Sequence, residues 1–145
     1  MISKELRDSL LDLKCLAALP KALREKAVDI LVVVSEPRSV PKGGVWLREG
    51  EPTKNKGFIL LKGTAVIKRS DAPPLKCKAP ELLGEMMQFN PAGVRTATVS
   101  AGEDSIVMRF MWEDFWAIVE KNLQDDEAEK IRDAMKELAW EHLTG

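Results

Sequence analysis

A chain of 145 residues with 45% hydrophobic and 31% charged side chains has the size and balance of one soluble domain with a real core, and is cramped for two. Its 22 basic and 23 acidic residues nearly cancel, so the net charge supplies no field for a polyanionic partner such as nucleic acid. Two cysteines, Cys15 and Cys77, are too few for a disulfide framework or a four-ligand zinc site, and no apolar run approaches the roughly 20 residues of a membrane span.

The N-terminus "MISKELRDSLLDLKCLAALP" is charged throughout, unlike a signal peptide, so the expectation is a cytoplasmic protein with unbridged thiols and no membrane contact. In residues 3–18, Leu6, Leu10, Leu13 and Leu16 recur at helical spacing, with Ser3 placed to cap and Pro20 to stop. That spacing predicts one helix. "KALREKAVDILVVV" predicts a second, with Leu23, Ala27, Ile30 and Leu31 on one face before Val32 to Val34 loosen the preference.

From Ser35 the pattern changes to short runs rich in Val, Ile, Thr and Phe between turn residues: "PRSV", "GVWLREGE", "GFILLKG", "TAVIKR", "PLKC", "ELLGE", "RTATVSA" and "SIVMRF". Short strands at this density read as a sandwich, jelly roll or barrel rather than βαβ units. After Phe110 the helical period returns. Trp112, Phe115, Trp116, Val119 and Leu123 predict a helix to about Asn122, and Ala128, Ile131, Met135, Leu138 and His142 another beyond "QDDE". The expected fold class is α+β, mainly β: an eight-stranded antiparallel β-roll or jelly roll over 34–110, with N-terminal helices at 3–33 and a C-terminal helix pair at 112–143. The whole chain, 1–145, is expected to form a single domain. Its charge is uneven, with 16 basic and 9 acidic residues up to position 78 and 6 basic and 14 acidic after it, so the C-terminal helices carry an acidic solvated face.

Catalytic readings find no residues to rest on. A cupin-like metal site needs clustered imidazoles, and the only histidine, His142, lies near the C-terminus, away from either cysteine. Glu49, Glu51, Glu81 and Glu85 show no spacing that makes an acid/base pair, and there is no Walker-type loop. The expectation is a protein that is not an enzyme and holds no metal or cofactor.

The stretch "LLGEMMQFNPAGVRTATVSA" holds one acid, Glu85, and one base, Arg95, in a nearly uncharged run. If both face inward, Arg95 is a planar donor for a phosphate and Glu85 an acceptor for sugar hydroxyls, with turn N–H groups completing an anion cradle. The alternative is that the two simply pair with each other.

The series "PKGGVWLREGE", "GFILLKGTAVI", "LLGEMM" and "VRTATVSA", set between helices, resembles the cyclic nucleotide-binding domain over roughly residues 15–140. The most specific part is Gly84-Glu85 followed, eleven residues after Gly84, by Arg95-Thr96-Ala97, a spacing similar to that of bacterial catabolite activators. The resemblance implies a phosphate-binding cassette: Glu85 takes the ribose 2′-hydroxyl, Arg95 the cyclic phosphate, and the backbone of Gly84, Met86 and Met87 adds donors, with Thr96 and Ala97 resuming the strand. The ligand implied is cAMP or cGMP, between which Thr96 does not decide. Met87 departs from the family, which has a small alanine there, as do Gln88 and the turn "PTKNK". No helix-turn-helix follows the C-terminal helix, so DNA contact is not expected. The resemblance further implies that this helix, through Met135 and Leu138, either lids the base or pairs with a second copy in a homodimer, and signals to an effector that the sequence does not name. A second reading stays open: a degenerate roll that serves as a dimerisation or scaffold module without ligand.

Overall fold

The computed structural model describes residues 4–52, 56–83 and 97–144, with the backbone alone for residues 6 and 138–144. The first predicted helix is two: α1 (Lys4–Leu10) and α2 (Lys14–Ala17). The break falls at Leu13, whose φ of −58° and ψ of 131° are extended. Upstream, the Ser9 hydroxyl donates back to the Glu5 carbonyl at 3.0 Å, a bond that competes with the helical ladder. Leu10, Leu13 and Leu16, on both sides of the break and at it, are all fully buried. Helix α3 (Lys21–Val34) runs unbroken through the three valines that were expected to loosen it, because Leu23, Ala27, Val28, Ile30 and Leu31 are buried and packing overrides propensity.

The strands follow as β1 (Glu36–Val40), β2 (Val45–Leu47), β3 (Lys56–Lys62), β4 (Thr64–Lys68), β5 (Leu75–Lys78), β6 (Glu81–Leu83), β7 (Thr98–Ala101) and β8 (Ser105–Met111). They form two antiparallel sheets, ordered β1-β8-β3-β6 and β2-β7-β4-β5. Helices α4 (Trp112–Asn122) and α5 (Asp125–Thr144) complete the order. This is the α+β, mainly β roll that the sequence predicts, with eight strands among the described residues. No helix among the described residues is long and apolar enough to cross a membrane.

Alternation along β3 separates two cores. Phe58 and Leu60 point between the sheets, where they meet Leu47, Ala65, Leu83, Val99 and Val107. Ile59 and Leu61 point the other way, into a larger cluster built from all five helices together with Leu82, Met108 and Phe110. The first sheet is therefore buried on both faces. Where β8 passes into α4, Phe110, Trp112, Phe115 and Trp116 pack edge to face, with Phe110 and Trp112 centroids 4.7 Å apart, and fix the angle of the helix on the sheet. Two glycines are set by space and backbone: a Cβ at Gly57 would collide with the Phe110 ring, and Gly63 turns the β3–β4 hairpin at φ 102°.

Candidate functional site

The stretch that carries the candidate chemistry joins the two sheets. Strand β6 is an edge of the first sheet, and β7 lies inside the second. Gly84, Glu85, Met86, Met87, Arg95 and Thr96 lie between them, outside the described residues. What the structure describes is the frame on either side. Leu83 is buried in the inner core beside Phe58, its register partner on β3. Ala97 is half-buried where the chain re-enters the sheet.

That re-entry is pinned from β2. The Glu49 N–H donates to Thr98 Oγ1 at 3.0 Å, and Glu49 Oε1 accepts from the Ser70 N–H at 3.1 Å. A hydroxyl one residue after Ala97 thus ties the start of β7 to the end of β2, and the β4–β5 turn to both. Thr98 was visible in the sequence only as strand propensity, because its bond is made to a residue 49 positions away.

The core between the two sheets is mostly aliphatic. Polar atoms on it are few. Glu81 points inward from β6 and is buried, two residues before Leu83. Cys77 lines the opposite side from β5, and burial, then the charge of Glu81, pushes its thiol up to about 11. At neutral pH it is a protonated, weakly reactive wall residue. Neither cysteine is in a disulfide among the described residues, with Cys15 buried in the helical cluster and Cys77 half-buried in the roll. Trp46, on β2, packs against the same inner cluster, and its Nε1 is buried with no hydrogen-bond partner among the described residues. Sequence reasoning singled out neither Trp46 nor Cys77 as a neighbour of the inner core, since alternation alone does not say which face of a strand turns inward. Among the described residues no group of three or more His, Cys, Asp and Glu is placed to hold a metal ion.

Of the two lid candidates, Met135 is fully buried in the helical cluster, on the opposite face of the first sheet from the roll interior. The side chain of Leu138 lies outside the described residues. Ala128 and Ile131 of the same predicted seam are buried with Met135, and α5 packs along α2 and α4. In this arrangement the seam faces its own chain.

The family model described as the cyclic nucleotide-binding domain matches residues 37–122, more than half of the chain. A comparison with curated proteins finds no match. Among solved structures, the sensor domain of the transcriptional regulator DNR from Pseudomonas aeruginosa is 20% identical with a TM-score of 0.67, over 94% of this chain and 92% of that one. The N-terminal domain of a transcriptional regulator from Streptomyces coelicolor A3(2) is 21% identical with a TM-score of 0.67, over 93% and 94%. A structure described as Sp-2Cl-cAMPS bound to PKAR CBD2 is 21% identical with a TM-score of 0.64, over 93% and 90%. These likenesses establish the roll and its flanking helices as a shared fold. With the family match spanning the joint between β6 and β7, the chain belongs to the cyclic nucleotide-binding domain family.

Proposed function

We propose that the chain, acting as one unit, is a non-enzymatic sensor module that binds cAMP or cGMP between the two sheets and signals through α5. The observation that carries the reading is that the family match runs through both Glu85 and Arg95, the one acid and one base of an otherwise uncharged stretch. In this reading Arg95 pairs with the cyclic phosphate, Glu85 accepts from the ribose 2′-hydroxyl, and the backbone of Gly84, Met86 and Met87 supplies further donors. Thr96 and Ala97 lead the chain back into β7. The aliphatic inner wall takes the base, and a related roll described as bound to Sp-2Cl-cAMPS supports a cyclic nucleotide as the ligand class.

Removing the guanidinium leaves a phosphate desolvated and unpaired, at a cost of about 2–5 kcal/mol. Arg95→Ala is therefore expected to bind cAMP or cGMP at least ~30-fold more weakly, while melting near wild type without ligand. Isothermal titration of both proteins with both nucleotides tests this. Equal affinities remove Arg95 from the site. Absence of binding by the wild type removes the sensor reading and leaves a roll that acts as a dimerisation or scaffold unit.

A further inference from the structure

Register along β2 slips by one residue. Val45 sits opposite Ser100 and Leu47 opposite Val99, so two steps of β2 span one step of β7 and Trp46 is the extra residue of a bulge. Bulges re-aim side chains. Val45 on one side of it is exposed, Leu47 on the other is buried in the roll, and the Trp46 ring is half-buried against that inner cluster.

An indole N–H is a donor and nothing else. Buried at Nε1 without an acceptor among the described residues, it has given up the hydrogen bond that water offered and received none from the fold. A carbonyl or hydroxyl nearby would have been the ordinary remedy. Two residues beyond the strand that carries it, the Glu49 N–H donates to Thr98 at the start of β7, just after Ala97.

We infer that the Trp46 indole is a ligand-contacting donor of the roll: a bound nucleotide sets one of its acceptor atoms, an oxygen of phosphate or ribose or an acceptor of the base, against Nε1. The inference rests on the proposed function and adds to that site a residue outside the glutamate and arginine pattern. It also assigns the bulge a task. Shifting the register turns inward an aromatic that a regular strand would alternate outward beside Leu47.

Trp46→Phe keeps an aromatic ring on the bulge and removes only the donor with part of the ring. Nucleotide affinity is expected to fall about fivefold, the worth of one hydrogen bond in a desolvated site. In ¹⁵N-labelled wild type, the Trp46 indole resonance, one of four, is expected to move downfield when cAMP or cGMP saturates the protein. That second reading needs no variant to fold. A wild type that binds nucleotide while its Trp46 indole resonance stays fixed, or a folded Trp46→Phe with unchanged affinity, overturns the assignment of Trp46. A wild type that binds neither nucleotide overturns the sensor reading itself.

Discussion

Three carbonyls at the end of α2 converge on one guanidinium. Arg24 donates from Nε to the Leu16 oxygen at 3.1 Å, and from Nη2 to the Ala17 and Leu19 oxygens at 3.0 Å each. A helix of only four residues has no propensity to hold it, and its last carbonyls have no intrahelical partner, so a fork-shaped cation on the next helix acts as its C-terminal cap. Arg24→Ala is expected to cost about 1–2 kcal/mol, seen as a melting temperature several degrees lower by calorimetry. Arg24→Lys is expected to recover only part of it, because an ammonium lacks the planar fork. An unchanged melting temperature for Arg24→Ala would show that water caps α2 equally well. None of this was legible in the sequence, where Arg24 is one of several cations on a helix surface. The partners of a cap lie in the turn before it, and a turn's shape is not written in the periodicity.

The start of α5 is fastened in two ways by a single carboxylate. Glu127 accepts from the Gln124 N–H at 3.1 Å, which satisfies one of the free donors at the helix start, and pairs with Lys26 of α3 at 3.1 Å. Both hold its carboxyl below the ordinary value of 4.5, the backbone bond first and the Lys26 bond next. A carboxylate with a depressed folded-state pKa stabilises the folded form above its unfolded value, and that contribution is lost as pH falls through the folded value. The fastening of α5 to α3 is thus intact at neutral pH, begins to weaken as pH falls below the ordinary value of 4.5, and is lost as pH falls through the depressed folded value. Glu127→Gln is expected to flatten the acid limb of the α5 exchange profile, and to differ from the wild type at neutral pH but not once the wild-type carboxyl has been protonated at the acid end of that limb. A wild type and variant that differ by the same amount across the whole limb would assign the effect to geometry alone. Further along, the guanidinium of Arg132 sits 4.7 Å from the Trp116 ring centroid and joins α5 to α4. The eight strands were readable because short β-branched runs between glycines and prolines have few other readings. Residues 3–18 were misread as one helix because leucine spacing of three and four continues across Asp12 and Leu13, while the turn is set by how three leucines reach a core that the sequence does not display.

At the scale of the molecule, the proposed function makes α5 the element through which a ligand in the roll would be felt outside it. With Met135 fully buried and α5 packed along α2 and α4, the helix has one docked position, and a ligand shifts that position only by favouring another. Saturating nucleotide is expected to change hydrogen exchange of amides 126–143. Identical exchange with and without ligand would make α5 a static brace. The fold class was legible because short strand runs between turn residues, flanked by helical periods, have few other arrangements; the glycine, acid and arginine of the proposed cassette lie outside the described residues, within the stretch that the family match spans. The helix contacts were not, because the same seam of Ala128, Ile131 and Met135 serves a partner or its own chain equally well on paper.

Strand β3 gives that exchange measurement its scale. With Phe58 and Leu60 in one core and Ile59 and Leu61 in the other, the strand cannot leave either compartment without abandoning both. Roll and helical layer are then expected to open as one cooperative unit, so that whatever lowers the free energy of the roll slows global opening everywhere by the same factor. Protection that rises evenly from α3 to β8 is therefore the signature of occupancy, and only a departure from that common rise, confined to α5, is the signature of a message.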